Sequence, residues 1–336
     1  MTARAAVIGA GSWGTALANL LAAKGTQTTV WSYEHDVADD INRLHENRKY
    51  LDGIALDPGL RATPDMAEAL RGADLVLSVS PSHVVRQVMA QAAEHMPPDA
   101  LVVSASKGIE NESLKTMDAV LADVLPPSIS RTACFLSGPS FAREVGLRFP
   151  TAVTMASEDE GAAVRAQAAF QTPYFRVYTS HDVRGVELGG SVKNVIAIAA
   201  GVVEGLGFGY NTQAALITRG LAEIMRLGAA LGADPRTLAG LAGIGDLILT
   251  CTGGLSRNRT VGVELGKGRP LDEVLGGMVM VAEGVRTARS ARDLAHRTGV
   301  EMPIVEAVYA LLYDGLNARD AIEQLMLREP KPEQWG

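Results

Sequence analysis

Over the first 185 residues short apolar runs alternate with helical patterns, and nothing else in the chain constrains the fold as tightly. The runs are AAVIG (5–9), QTTVWS (27–32), LVLSVS (75–80), LVVSAS (101–106), ACFLSG (133–138), TAVTMAS (151–157) and FRVYTS (175–180). Several are β-branched and almost continuously apolar, as strands covered on both faces should be. Helical patterns lie between them, for example at 14–24, 82–95 and 112–124. This succession predicts an α/β, doubly wound domain over 1–185. The strand signal then stops. Helical patterns at 186–206, 212–231, 235–242, 256–266, 285–298, 303–312 and 317–327, punctuated by Gly or Pro, predict an all-α second domain over 186–336. Its polar end, REPKPEQWG (328–336), is expected to be loose.

Composition narrows the function classes. The chain has 336 residues, 47% hydrophobic and 21% charged, enough for two globular cores. A formal net charge of −7 argues against a nucleic-acid partner, so a site for an anionic substrate has to be locally basic. Cys134 and Cys251 form no CxxC motif and suit a reducing, cytoplasmic setting. The opening MTARAAVIGAGSWG reads as neither a signal nor a transit peptide. No window of ~18 uninterrupted apolar residues predicts a membrane span. Six scattered histidines predict no metal site.

The first strand runs into Gly9-Ala10-Gly11-Ser12-Trp13-Gly14 and then a helix. That is the context in which GxGxxG marks a Rossmann-like dinucleotide site. Gly9 permits the tight turn, Gly11 a close approach of the pyrophosphate, and Gly14 close packing of helix on strand. The helix N-terminus offers N–H groups to the phosphates. Trp13 either covers the cofactor or packs in the core. At the tip of the second strand, Ser32 and Tyr33 are neutral and Glu34 lies one or two places late for the usual ribose-binding acid, so neither NAD nor NADP is excluded.

Residues 187–203, ELGGSVKNVIAIAAGVV, place Lys193 in an apolar helix. At 100° per residue, Val192, Val195, Ile196, Ile198, Val202 and Val203 form a packing face. Lys193 points away from it, among Gly189, Gly190, Ala197, Ala200 and Gly201. Such a stripe admits another backbone or a ligand. The lysine either pairs with a carboxylate for packing or, desolvated, serves as a general acid or base. Asn194 adjoins it, to hold a substrate oxygen or a backbone group.

The search for a basic site leads to GIGDLILTCTGGLSRNRTVG (243–262). Ser256 is a plausible N-cap, and Arg257, Asn258 and Arg259 fill the first helical turn, where the macrodipole disfavours cations unless an anion is present. Arg257, Asn258 and free backbone N–H groups would cradle a phosphate; the alternative is surface arginines with salt partners. Asp246 either pairs with Lys193 or caps a helix. Two more spots follow strands, Lys107-Gly108 and Gly138-Pro139-Ser140-Phe141-Ala142. Cys134 reads as core, and Cys251 has no histidine near it in sequence to activate it.

Taken together, GAGSWGTALA, SASKGIE, LSGPSFAREV, KNVIAIAAG, GIGDLILTCTGGLSRNRTVG and MVAEGVRTA, in this order over nearly the whole chain, resemble the bacterial-type NAD(P)-dependent glycerol-3-phosphate dehydrogenases. The resemblance implies reversible reduction of dihydroxyacetone phosphate to sn-glycerol 3-phosphate, a phospholipid precursor, in the cytoplasm, with NAD or NADP and no metal. It implies that Lys193 is the proton donor and acceptor at the C2 oxygen. It assigns substrate contacts to Lys107, Gly138, Ser140, Lys193, Asp246, Ser256, Arg257 and Asn258. Beside the glycines of the first loop, it assigns the cofactor to Ser12, Trp13, Tyr33, Tyr50, Lys107, Ala142, Arg257, Val281 and Glu283. Tyr33 stands where many NADPH-preferring members carry a basic residue, and the resemblance leaves room for a homodimer. Two other readings stay open. A two-domain hydroxy-acid dehydrogenase would want a carboxylate clamp in place of the Ser-Arg-Asn-Arg loop. A non-catalytic redox sensor would keep GAGSWG without needing Lys193.

Overall fold

The computed structural model describes residues 3–330 and 332–333, so Met1, Thr2 and, in the polar tail, Lys331 and residues 334–336 lie outside the described residues. The chain divides into two compact units: one made of 1–107 and 115–186, the other of 108–114 and 187–336.

In the first unit every apolar run forms a strand: β1 (Arg4–Ile8), β2 (Gln27–Trp31), β4 (Leu75–Ser78), β5 (Leu101–Ser104), β6 (Cys134–Ser137), β7 (Thr151–Ala156) and β8 (Phe175–Ser180). An eighth, β3 (Arg61–Thr63), escapes the sequence pattern because three residues carry no periodicity. The sheet order is β3-β2-β1-β4-β5-β6-β7-β8. All pairings are parallel except β6 with β7. The order reverses at β1, flanked by β2 and β4, and ligands of open α/β sheets bind beyond the carboxyl ends at such a point.

Helices α1 (Ser12–Ala23), α2 (His35–Leu44), α3 (Met66–Leu70), α4 (Val85–Ala93), α5 (Met117–Val124), α6 (Pro127–Ser130), α7 (Ala142–Gly146) and α8 (Glu160–Phe170) connect the strands. Leu17 and Leu21 of α1 are buried with Val7, Leu77, Val103 and Phe170 in one core. The ends of α1 and α8 are tied by Lys24, whose Nζ donates to the carbonyls of Ala168, Ala169 and Gln171 at 2.8, 2.8 and 2.7 Å. Those carbonyls lack helical partners at a C-terminus, and a cation there also suits the macrodipole.

The second unit is helical: α9 (Val183–Gly205, entering from the first unit), α10 (Tyr210–Ala230), α11 (Pro235–Leu238), α12 (Asp246–Thr252), α13 (Arg257–Gly266), α14 (Leu271–Gly276), α15 (Glu283–Thr298), α16 (Pro303–Tyr313) and α17 (Ala318–Met326). A π-helical turn, Leu241–Gly245, leads into α12. By length and mean hydropathy (1.5) α9 would suffice to cross a membrane, yet its apolar window is wholly buried inside the protein, as befits a core helix.

Glycines set how α9 packs. A Cβ on Gly201 would lie 2.0 Å from the Arg259 carbonyl oxygen, and one on Gly262 2.0 Å from that of Ile198. One turn on, Gly205 and Gly266 repeat the arrangement. The backbones of α9 and α13 therefore touch, which no residue with a side chain would permit. Elsewhere Glu223 of α10 is 3% exposed and accepts the N–H of Ile304 and Val305 at 2.7 and 3.3 Å, capping α16 from a neighbouring helix.

Candidate functional site

In the first unit, Gly9 has φ +122°, a conformation that suits glycine alone, and its N–H donates to Trp31 O at 3.1 Å. A Cβ on Gly14 would fall 2.0 Å from the Gly9 carbonyl oxygen, so helix and turn pack as the motif requires. Nothing lies within 4 Å of where a Cβ on Gly11 would stand. Gly11 is also the N-cap of α1, without a side-chain cap, leaving N–H groups at Ser12 and beyond for an anion. Trp13 packs against the core, while its buried indole Nε1 has no hydrogen-bond partner. These features fit a dinucleotide: an open approach over Gly11, uncapped donors and an orphaned N–H.

Asn47, which sequence reasoning missed, holds this turn. It is fully buried, and its Nδ2 donates to Ala10 O and Thr15 Oγ1, both at 2.8 Å. Its Oδ1 accepts the Tyr50 N–H at 3.1 Å. Tyr50 in turn donates its hydroxyl to Glu34 at 2.7 Å, while Tyr33 is 83% exposed. Farther along the sheet, Lys107 Nζ donates to Gly138 O at 3.4 Å and Ser140 Oγ to the same oxygen at 3.0 Å. Lys107, Gly138 and Ser140 are thus brought together, and Ala142 opens α7 just beyond.

In the second unit, Lys193 is 6% exposed, and its Nζ donates to Asp246 Oδ1 and, at 2.8 Å, to Thr250 Oγ1. Thr250 passes its own hydroxyl hydrogen to Asp246 O at 2.6 Å. Of the two sequence readings of Asp246, pairing with Lys193 is realised, from the first residue of α12. Thr250, one helical turn later, is a second partner the sequence did not disclose. Asn194 and Asn258 form another pair: Asn258 Nδ2 donates to Asn194 Oδ1 at 2.9 Å, and its Oδ1 accepts Gly284 N–H at 2.8 Å. Backbone fills two places of the small-residue stripe: Gly189 meets the Ala242 carbonyl 2.5 Å from its would-be Cβ, and Gly201 meets α13.

Ser256 is the N-cap of α13, its Oγ accepting Arg259 N–H at 3.2 Å. The two arginines of this turn part company. Arg259 finds its anion within the protein, Glu204 of α9 at 2.5 Å. Arg257 donates to Val281 O at 2.9 Å; burial lowers its pKa and nearby Glu283 partly restores it. Arg257, Val281 and Glu283 are therefore neighbours. Cys251 is buried beside Lys193 and Asp246, and desolvation pushes its thiol up to about 12, which removes it as a nucleophile. Cys134 is likewise buried, pushed up to about 11. Among the described residues no group of three or more His, Cys, Asp or Glu side chains is placed to hold a metal ion.

Residues 4–163 match the family described as NAD-dependent glycerol-3-phosphate dehydrogenase N-terminus, and residues 182–323 match its C-terminus. The chain belongs to the NAD-dependent glycerol-3-phosphate dehydrogenase family.

A curated relative from Geobacter sp. (strain M21), glycerol-3-phosphate dehydrogenase [NAD(P)+], is 57% identical over 333 residues, 99% of each chain. The crystal structure of the Coxiella burnetii glycerol-3-phosphate dehydrogenase superposes with a TM-score of 0.92 at 37% identity, covering 97% of this chain and 99% of that one. D-mandelate dehydrogenase, at 11% identity and a TM-score of 0.61 over 95% of this chain and 99% of that one, shares the fold alone. Every segment that carried the resemblance lies within the matched ranges.

Proposed function

We propose that the chain reversibly reduces dihydroxyacetone phosphate to sn-glycerol 3-phosphate, with Lys193 as the proton donor and acceptor. The observation that carries this reading is a lysine buried in a helix core and held by Asp246 and Thr250, in a chain of this family. Gly9, Gly11 and Gly14, with Ser12 and Trp13, would hold NADH or NADPH, which would supply the hydride for C2. As the carbonyl is reduced, negative charge develops on the C2 oxygen. The Lys193 ammonium stabilises that charge and delivers its proton; in the reverse direction it takes the proton back. Asp246 offsets the buried cation, and with Thr250 fixes where Nζ stands.

The substrate is a small phosphorylated molecule. Its phosphate falls to Arg257, with Ser256 and Asn258 at the start of α13, and Lys107, Gly138 and Ser140 complete its contacts. Tyr33, Tyr50, Ala142, Val281 and Glu283 line the cofactor. We place the enzyme in the cytoplasm, which two free, buried cysteines suit, and leave room for a homodimer.

The test follows NADH and NADPH oxidation with dihydroxyacetone phosphate. Lys193→Ala should lose at least ~10²-fold in turnover, the lower end for general acid–base catalysis. Because that change strands Asp246, Lys193→Ala with Asp246→Asn is measured beside it, each checked for folding by circular dichroism. Near-normal turnover in either variant removes the catalytic assignment.

A further inference from the structure

We propose that Glu34 recognises the adenosine ribose of the cofactor and makes this enzyme prefer NAD(H) over NADP(H). The inference rests on the glycine turn being the dinucleotide site. Glu34 follows the carboxyl end of β2, and β2 is in register with β1, Trp31 opposite Ile8. The tip of β2 therefore adjoins the Gly9 turn at the switch point of the sheet. Ser32, fully buried, donates its N–H to Thr63 O at 3.0 Å and its hydroxyl to Glu34 O at 2.9 Å, which fixes the backbone there. An acid in this region of a dinucleotide fold accepts the ribose hydroxyls.

The side chain is held in place as well. Lys49 Nζ and Tyr50 OH both donate to Glu34 Oε1, each at 2.7 Å. Asn47 anchors their loop to the glycine turn, so turn, loop and carboxylate form one connected network. The other oxygen, Oε2, takes no hydrogen bond from the described residues, and the side chain is 29% exposed. One carboxylate oxygen is thus clamped and the other remains to accept from a 2′-hydroxyl.

A 2′-phosphate would bring a charge of about −1.5 to −2 to the same place. Segment 32–50 contains only three Lys or Arg side chains against five carboxylates. Each cation is already paired: Arg43 with Asp39 at 3.7 Å, Arg48 with Asp40 at 2.8 Å, and Lys49 with Glu34. Asp36 lies 4.0 Å from Lys49 as well. Tyr33 adds no charge. A 2′-phosphate would meet Glu34 without an uncommitted cation from this segment, and like charges so placed discriminate strongly.

Isothermal titration of the intact enzyme with NADH and with NADPH tests this without turnover. Wild type should bind NADH at least about tenfold more tightly, a modest effect for like-charge exclusion. Glu34→Gln should shrink that ratio toward one, chiefly by tightening NADPH. Lys49→Met, which removes the neutralising cation and leaves Glu34, should widen it, and it supplies an answer should Glu34→Gln not fold. A structural defect would weaken both cofactors and leave the ratio alone. Wild type binding NADPH as tightly as NADH, or an unchanged ratio in the folded variants, overturns the inference. Binding of neither cofactor to wild type would overturn the dinucleotide site itself.

Discussion

Lys193 and Asp246 stand fifty-three residues apart in the chain and share a hydrogen bond in its interior, the lysine side chain 7% exposed and the aspartate 2%. A buried pair of this kind is costly to break from one side, because the remaining charge keeps its desolvation penalty. Asp246→Ala should therefore destabilise the protein by about 3–5 kcal/mol. Replacing both residues by apolar ones, Lys193→Met with Asp246→Leu, should recover most of that loss while remaining inactive. Denaturant melts of the three proteins check it; a double variant no more stable than Asp246→Ala would mean that the charges are not what the site is balancing.

Arg257 should act on substrate binding. Removing one hydrogen-bonding cation from a phosphate costs roughly 1.5–3 kcal/mol, so Arg257→Ala should raise KM for dihydroxyacetone phosphate by roughly 10- to 100-fold. Arg257→Lys should rescue this only partly, since a point charge lacks the guanidinium fork. Steady-state kinetics decide the matter, and an unchanged KM takes Arg257 out of the phosphate site.

The crossing of α9 and α13 should tolerate no side chain. Gly201→Ala would push a methyl to 2.0 Å from the Arg259 carbonyl oxygen, and we expect a loss of at least ~1–3 kcal/mol, the cost of overpacking a dense contact. Gly276→Ala is the control: nothing lies within 4 Å of its Cβ position at the end of α14, so its effect should be neutral or slightly stabilising. Equal melting temperatures for the two variants would contradict the close approach.

Glu223 should make stability fall as pH rises. Burial pushes its carboxyl up to about 7, against the lowering pull of the Ile304 and Val305 N–H groups and of Arg226 and Arg219. Between the ordinary carboxyl value of 4.5 and about 7, the folded state keeps a proton that the unfolded state has lost. Stability is thus highest below that window and declines through it, by an amount on the order of 3 kcal/mol. Glu223→Gln should flatten the decline in melts taken from pH 5 to pH 8. A slope identical to that of wild type would show that Glu223 does not titrate there.

What the sequence discloses follows the range of its forces. Seven strands are legible because continuous apolar runs are a local property, whereas the three residues of Arg61–Thr63 carry too little pattern to register. The glycine turn is legible because its neighbours in sequence are its neighbours in space. The stripe beside Lys193 is half legible: a sequence records that side chains are missing, and only the fold reveals that carbonyls of Ala242 and Arg259 occupy two of those places. Thr250 and Asn47 are not legible, since neither a threonine in a helix nor an asparagine in a loop announces the distant group it will bond. Arg259 carried the same sequence signal as Arg257, yet its partner Glu204 lies fifty-five residues away.

Residues 108–114 belong to the second unit although the first resumes at 115. Ile109 is 3% exposed in the second core, and Arg297 reaches the carbonyls of Ser113 and Leu114 at 3.5 and 3.4 Å. The polypeptide therefore passes between the units at three points, and a single scission at 186 cannot yield two self-sufficient fragments. The N-terminal piece would carry a heptapeptide whose Ile109 and Leu114 have lost their packing, and the C-terminal piece would have a gap where Ile109 belongs. For anyone dissecting this enzyme, or a gene recombining its halves, the second unit is inherited only together with residues 108–114, which chain order places between two stretches of the first.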